Sequence, residues 1–326
     1  MKRREFIAAL GGAAAWPFAA NSQTRLPVIG FLGLGSARNA ERLLAPFRLG
    51  LGDTGYAEGR NVVLEQRWAD GQYQRIPMFA GEFVSKPVSV IVAAGGTQSA
   101  LAAKAATKTI PVVFQVAADP VAAGLVAKLE RPGANLTGVS NLASELGPKR
   151  LELLREALPA AKRIALLGNP TNRAVTPGAV TALQQALNAT DIELNVVHAA
   201  SEGEFDAAFS RMKELKAEGL IIVPDLMFVD NIENLAALAA SNGLPSIFQF
   251  REFAAAGALM SYGGNIGDAM RQVGVYTGRI LAGSKPDELP VQQFTRIELV
   301  VNLKAAKSLG LTVPPTLLAR ADEVIE

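Results

Sequence analysis

The stretch that most constrains the fold is residues 90–119, where an apolar run, a glycine turn, a helix and a second apolar run follow one another. Residues 90–94 are apolar and start with three β-branched side chains, which predicts a strand buried on both faces. Gly95-Gly96-Thr97 then opens an alanine-rich helix over residues 98–106, and residues 110–115 form the next predicted strand. Open parallel sheets of such units bind small ligands at the carboxyl ends of their strands.

The same alternation of strand and helix continues along the whole chain. Further strands are predicted over residues 28–32, 62–67, 136–139, 164–167, 192–197, 220–223, 246–250, 258–261 and 298–302, and a helix over residues 120–129 is among those between them. Two stretches, 28–90 and 164–220, each enclose a helix, a strand and a helix at similar spacing. With 326 residues, 49% of them hydrophobic, the chain can form two α/β lobes.

Composition excludes several classes of function. The 32 Lys and Arg residues nearly balance the 30 Asp and Glu residues and are scattered, so nucleic acid is not an expected partner. No cysteine and one histidine, His198, leave no disulfide, no thiol nucleophile and no usual zinc site. Gly33-Leu34-Gly35 begins like a dinucleotide motif, but Arg38 stands where its third glycine would be. No metal or cofactor is therefore expected.

The N-terminus indicates export. Arg3 and Arg4 precede an uncharged stretch, residues 6–20, that is too short to span a bilayer. Small residues near Ser22 suit cleavage by a signal peptidase, and no cysteine stands there to carry a lipid. Residues 1–22 are therefore predicted to be a twin-arginine-type signal peptide, and the mature protein is expected in the periplasm.

Motifs along nearly the whole chain resemble one family, the ABC-transporter substrate-binding proteins of the tryptophan-binding TrpX type. They are Gly55-Tyr56, Arg67-Trp68-Ala69, Gly95-Gly96-Thr97, Asn169-Pro170-Thr171-Asn172, and residues 257–263, 271–281 and 314–326. The resemblance implies the type I periplasmic-binding-protein fold, an α/β architecture of two Rossmann-like lobes with parallel sheets flanked by helices. Gly33-Leu34-Gly35 and Phe228-Val229-Asp230 depart from the usual family pattern.

The same resemblance implies three segments that cross between the lobes. We expect them near residues 141–145, 250–253 and 290–296. The first lobe would then comprise residues 26–142 and 254–292, and the second lobe residues 143–253 and 293–326. A monomer is expected.

The carboxyl ends of the strands supply the candidate ligand-binding residues. Gly96, Thr97 and Gln98 bring free backbone N–H groups, a hydroxyl and a helix N-terminus together, which suits a carboxylate; the alternative is a tight turn with a threonine cap. Asp225 is placed to pair with a ligand ammonium, as in related amino-acid-binding proteins, or else to cap the following helix.

The remaining candidates are less distinct. Asn169, Thr171 and Asn172 either read polar ligand groups or stabilise a turn. Asp119 precedes Pro120 and either caps a helix or contacts the ligand. Aromatic walls and further strand-end contacts are expected from Trp68, Phe248, Phe250, Tyr262, Ser36 and Asn141. By alternation Phe248 and Phe250 share a face and Gln249 points away, so at least one of the two rings is expected in the core.

The resulting expectation is a non-enzymatic periplasmic binding protein of an ABC importer. It would capture a small amino acid or related carboxylate and deliver it to an inner-membrane permease. A ligand-sensing module for a periplasmic receptor is an alternative. A hydrolase or isomerase using Asp225 or Asp119 is disfavoured because no base, nucleophile or metal cluster accompanies these carboxylates in the sequence.

Overall fold

The computed structural model of the protein describes residues 26–188, 190–294 and 296–326. The predicted signal peptide lies outside these residues. Within them, no helix combines the length and the apolar composition needed to cross a membrane.

Two sheets organise the described chain, and eleven of their thirteen strands correspond to predicted runs, whereas β11 and β13 were not predicted. The strands are β1 (Val28–Gly33), β2 (Val63–Trp68), β3 (Val90–Ala93), β4 (Val112–Val116), β5 (Leu136–Ser140), β6 (Arg163–Gly168), β7 (Glu193–His198), β8 (Gly219–Ile222), β9 (Ser246–Phe248), β10 (Met260–Gly263), β11 (Gln292–Gln293), β12 (Glu298–Asn302) and β13 (Glu323–Ile325). The first sheet has the order β11-β5-β4-β3-β1-β2, and the second has the order β13-β12-β10-β9-β8-β6-β7. Every pairing is parallel except that of β10 with β12.

Helices connect and cover these strands. They are α1 (Glu41–Gly52), α2 (Ile76–Ser85), α3 (Gly96–Ala106), α4 (Gly147–Ala157), α5 (Thr176–Leu187), α6 (Phe205–Glu214), α7 (Leu226–Asp230), α8 (Ile232–Ser241), α9 (Arg251–Ala255), α10 (Ile266–Leu281), α11 (Leu303–Ser308) and α12 (Pro315–Leu318). Short 3-10 turns occur at Ala37–Asn39, Tyr73–Arg75, Glu202–Glu204 and Pro286–Glu288. The predicted fold class, two α/β lobes with mostly parallel sheets flanked by helices, is confirmed.

The second passage between the lobes differs from the expected one. Strand β10 pairs with β9 and β12 in the second sheet, whereas α10 packs on α1 and on the first sheet. The chain therefore passes between lobes at residues 264–265 and not near residues 250–253. Residues 254–263 belong with the second sheet, because strand pairing holds them there.

One other local prediction is wrong. Residues 120–129 form turns and no helix, with Gly124 at a φ of 68° that interrupts any helical run. The end of the chain adds a strand that was not predicted, β13, which pairs in parallel with β12 at the sheet edge.

Arg150 on α4 joins two of the passages between the lobes. Its side chain is completely buried, and Nη2 donates to the carbonyl of Ala143 at 2.8 Å in the first passage. Nε donates at 2.9 Å to the carbonyl of Tyr262, two residues before the second passage. Burial lowers the pKa of this guanidinium to about 9, so it still carries its charge at neutral pH.

Close packing of α10 against α1 holds the last part of the first lobe in place. Gly274 on α10 lies so near α1 that a Cβ there would sit 2.1 Å from the carbonyl oxygen of Phe47. That distance is impossible without moving one helix, because the three nearest atoms all belong to the backbone of α1. A glycine at this position therefore allows the two helices to touch.

We expect Gly274→Ala to lower the free energy of unfolding by about 1–3 kcal/mol through overpacking. Gly178→Ala on α5 is the matched control, because a Cβ there meets nothing within 4 Å and its free energy of unfolding should stay equal or rise slightly. Chemical denaturation of both variants measures the difference. Equal stability of the two variants would contradict the close helix contact.

Candidate functional site

An inner cavity lies between the two lobes at the carboxyl ends of their strands. Its walls come from both sheets and are formed by Tyr73, Gly95, Gly96, Thr97, Gln98, Gln115, Ala117, Asn141, Asn172, Val175, Pro224, Asp225, Leu226, Gln249, Phe250 and Ile266.

The N-terminus of α3 forms one wall of this cavity. Gly96 has a φ of 76°, which favours glycine, and no side chain caps the helix start. The first-turn N–H groups of a helix have no partner within the helix. The Thr97 side chain is 4% exposed, and its Oγ1 has no hydrogen-bond partner in the described chain. This wall therefore presents several donors to an anion.

Asp225 forms the opposite wall and is held from both lobes. Its Oδ2 accepts from the Tyr73 hydroxyl of the first lobe at 2.8 Å and from Asn172 Nδ2 of the second lobe at 3.0 Å. Its Oδ1 accepts from the Met227 N–H at 2.8 Å, which makes Asp225 the N-cap of α7. The capping role that the sequence left open is thus real, and it coexists with a place at the cavity wall.

Burial has the largest effect on the pKa values of Asp225 and Tyr73. It raises the pKa of the Asp225 carboxyl, and the three donors oppose that change by stabilising the carboxylate. Burial and the Asp225 charge raise the pKa of Tyr73 well above its ordinary value, so the phenol keeps its proton and donates it.

Three carboxamide side chains line the part of the cavity nearest the passages between the lobes. Gln115 is the second-last residue of β4, Asn141 follows β5, and Gln249 follows β9. All three are almost fully buried. Oε1 of Gln249 has no hydrogen-bond partner in the described chain, whereas Oδ1 of Asn141 accepts from the Ala143 N–H at 3.3 Å.

Seven of the residues singled out from the sequence meet at this cavity. They are Gly96, Thr97, Gln98, Asn141, Asn172, Asp225 and Phe250. Sequence reasoning missed six others, namely Tyr73, Gln115, Val175, Leu226, Gln249 and Ile266. The position of Gln115 and Gln249 at strand ends was a usable signal, but Tyr73 reaches the site only because a turn after β2 aims it at the other lobe.

Four of the expected contacts instead stabilise the surrounding structure. Trp68 lies against Phe31, with ring centroids 5.5 Å apart, and Phe248 is fully buried beside Phe253 at 5.1 Å. Tyr262 packs on the core of the second lobe. Asp119 is not at the cavity, since its Oδ1 accepts from the Val121 N–H at 2.7 Å in an exposed turn.

The other three do not line the cavity either. Asn169 Oδ1 accepts from the N–H of Thr171 at 3.0 Å and from its hydroxyl, which shapes the loop after β6. The carbonyl of Thr171 accepts from Gln98 Nε2 at 2.9 Å, a bond between the lobes. The Ser36 N–H donates at 2.6 Å to Oδ2 of Asp230 on α7. These seven residues are left out of the ligand site proposed below.

The Ser36–Asp230 bond belongs to a second band of contacts between the lobes. Asn39 Nδ2 donates to the Asp230 carbonyl at 2.9 Å, and Arg42 Nη1 donates to the Val229 carbonyl at 2.7 Å. Burial raises the pKa of the Asp230 carboxyl to about 6, although the Ser36 N–H and the Arg42 charge act in the opposite direction.

Among the described residues, no cluster of three or more His, Cys, Asp and Glu side chains could hold a metal ion.

A family model of ABC transporter substrate binding proteins matches residues 41–325. The chain belongs to this family. The resemblance found in the sequence is therefore confirmed, and the protein is a substrate-binding protein of the ABC-transporter type.

Individual relatives agree with the fold. A tyrosine-binding protein of Clostridioides difficile strain R20291 is 29% identical over 261 residues, which are 80% of this chain and 74% of that protein. A conserved domain protein of Vibrio cholerae has a crystal structure that is 30% identical, with a TM-score of 0.82 over 92% of this chain and all of that one.

Two further structures differ in how well they superpose. A Streptococcus complex with L-Trp is 23% identical over 92% of this chain and 99% of that one, with a TM-score of 0.80. A ligand-free, open substrate-binding protein from Clostridium difficile is 27% identical over the same shares of the two chains, yet its TM-score is 0.62.

Asp230 predicts a pH dependence of stability. With its pKa raised from 3.8 to about 6, the folded state binds a proton between pH 4 and pH 6 that the unfolded state has released. The contribution of Asp230 to the free energy of unfolding therefore falls as pH rises through this window and is constant above it. We expect the free energy of unfolding of Asp230→Asn, relative to that of the wild type, to rise across the window by up to roughly 3 kcal/mol.

Denaturant titrations at several pH values measure this difference, and comparison with the wild type cancels the other carboxyl groups. Thr181→Ala, an exposed position on α5, is the control and should show no pH-dependent difference, because it changes no ionisable group. A pH-independent difference for Asp230→Asn would contradict the raised pKa.

Proposed function

We propose that this protein is exported to the periplasm, captures an amino acid in the inner cavity and delivers it to a permease of an ABC importer. The observation that carries the proposal is the pairing of an uncapped helix start and an unpaired hydroxyl on one lobe with a buried carboxylate on the other. An amino acid has one carboxylate and one ammonium, so its backbone matches both walls. The protein is proposed to bind its ligand without converting it.

The α3 wall takes the ligand carboxylate in this proposal. Gly96 and Thr97 line the cavity, and the N–H groups of this first helical turn suit a charged acceptor, to which hydrogen bonds are strongest. The Thr97 hydroxyl adds one more donor and at the same time gains the partner that it lacks. Leaving a buried polar group unpaired costs about 1–3 kcal/mol, so the bound ligand removes a penalty from the empty site.

Asp225 takes the ligand ammonium. It is the carboxylate among the described residues that line the cavity, and its Oδ1 accepts one hydrogen bond while having two lone pairs. A buried carboxylate is costly until it is paired with a positive charge. The ammonium supplies that charge and keeps Asp225 ionised, whereas a ligand without an amine would leave it with neutral donors alone.

The name of a relative supports an amino acid as ligand. The Clostridioides difficile relative, which shares 29% identity, is described as a tyrosine-binding protein. Phe250, Leu226 and Ile266 give this cavity apolar walls beside its polar groups. That mixture suits an amino acid with a sizeable side chain.

Contacts between the lobes couple binding to closure in this proposal. Tyr73 and Asp225 join the two sides at the cavity, and Gln98 with Thr171 joins them beside it. A ligand that bridges the same two walls adds contacts that exist only when the lobes are together. It therefore favours the closed arrangement, which is the form we expect a permease to receive.

The test is isothermal titration of the purified mature protein with the twenty common amino acids. For the amino acid that binds, we expect Thr97→Ala and Asp225→Asn each to weaken affinity by about 10- to 100-fold, because a hydrogen bond to a charged group contributes ~1.5–3 kcal/mol. A thermal shift measured in parallel should show the wild type stabilised by roughly 2.7 kcal/mol at one hundred times the dissociation constant.

Thr181→Ala and Asp206→Asn, at exposed positions on α5 and α6, are the matched controls and should bind as the wild type does. Unchanged affinity in both cavity variants would reject the site. Chromatography of the ligand after incubation with the protein measures turnover. Conversion of the bound amino acid into another compound would reject the non-enzymatic function.

A further inference from the structure

The side chain of Gln249 is an unused acceptor in the wall of the inner cavity. It is 3% exposed, and its Oε1 has no hydrogen-bond partner in the described chain. Leaving a buried acceptor unpaired is unfavourable, and few such atoms persist in folded proteins without a reason. Because Gln249 lines the cavity, a bound molecule is in position to supply the missing donor.

The strand order places Gln249 away from the charged end of the site. In the second sheet the order is β10-β9-β8-β6, so Gln249 after β9 is one strand nearer the passages between the lobes than Asp225 after β8. In the first sheet the order is β5-β4-β3, so Asn141 and Gln115 are likewise nearer to them than Thr97. Neighbouring strands are about 4.8 Å apart. An amino acid held at Thr97 and Asp225 therefore has its side chain free to extend towards Gln249.

The chemistry of this end of the cavity restricts that side chain. Its polar groups are the neutral carboxamides of Gln115, Asn141 and Gln249, beside the apolar Phe250 and Ile266. Among the described lining residues at this end, none carries a charge. A charged ligand side chain would be buried here without a counter-ion, and a purely apolar one would leave Gln249 unpaired.

We propose that Oε1 of Gln249 accepts a hydrogen bond from the ligand side chain, so that the protein selects amino acids with an uncharged, donor-bearing side chain. A phenol hydroxyl, an indole N–H and a carboxamide NH₂ are the donors of suitable type. This inference rests on the proposed function, because it takes the positions of the ligand carboxylate and ammonium from it.

The first test compares ligands on the wild-type protein. Isothermal titration with the twenty common amino acids identifies the tightest ligand, which is then compared with an isostere that lacks the donor. The pairs are L-tyrosine with L-phenylalanine, L-tryptophan with 3-benzothienyl-L-alanine, and L-glutamine with L-methionine. We expect the donor-bearing member to bind about 10- to 100-fold more tightly, the range for leaving one buried acceptor unpaired.

The second test examines whether Gln249 causes this preference. Gln249→Met keeps the length of the side chain without its acceptor, and we expect the preference within the pair to fall below about threefold, mainly through weaker binding of the donor-bearing member. Phe250→Leu is the matched control in the same wall. It should weaken both members of the pair alike and leave their ratio unchanged.

The outcomes separate the two proposals. If amino acids bind but the tightest ligand is charged or lacks a side-chain donor, the role of Gln249 is rejected and the proposed function stands. If Gln249→Met keeps the preference for the donor-bearing ligand, the role of Gln249 is also rejected. Another residue would then accept the hydrogen bond from the ligand side chain. If the wild type binds no amino acid, both proposals fail. Should Gln249→Met not fold, the comparison on the wild type decides alone.

Discussion

The structure depends on one buried carboxylate, that of Asp225. Its three donors come from the turn after β2 in the first lobe, from the loop after β6 in the second, and from the start of α7. Removing any of these elements would leave a buried polar atom of this carboxyl without its partner, which costs more than losing an exposed hydrogen bond. The pairing therefore specifies how the two sheets face each other, and the cavity is the space left between them.

A second buried charge performs a similar task at the other side of the cavity. Arg150 donates to two backbone carbonyls near the passages between the lobes, and its planar guanidinium holds them at fixed separation. Asp225 thus joins the two lobes at the cavity, and Arg150 orders the part of the cleft where the chain passes between the lobes. Between them, neutral carboxamides and apolar rings provide the surface that reads a ligand side chain.

The fold was largely predictable, and the site about half so. Buried strands such as β3 and β4 are visible as β-branched runs, and their carboxyl ends are known from parallel topology. That reasoning found Thr97, Asn172 and Asp225. It could not distinguish Phe248 from Phe250, because alternation shows which residues share a face and not where that face meets the cleft. It missed Tyr73, whose direction depends on contact with the opposite lobe.

The amino-acid sequence alone determined two α/β units, a glycine turn at a helix start, a family and the exclusion of cysteine chemistry, because these follow from local pattern and composition. Only the tertiary structure decided where the chain passes between lobes, which carboxylate is buried, and that Gln249 lacks a partner. Those properties depend on which distant segments meet: β10 joins the second sheet by pairing with β12, and Asp225 accepts a buried hydrogen bond from Tyr73 of the other lobe. A local sequence pattern does not show which distant segments come into contact, because the burial of each group is set by residues far away in the chain.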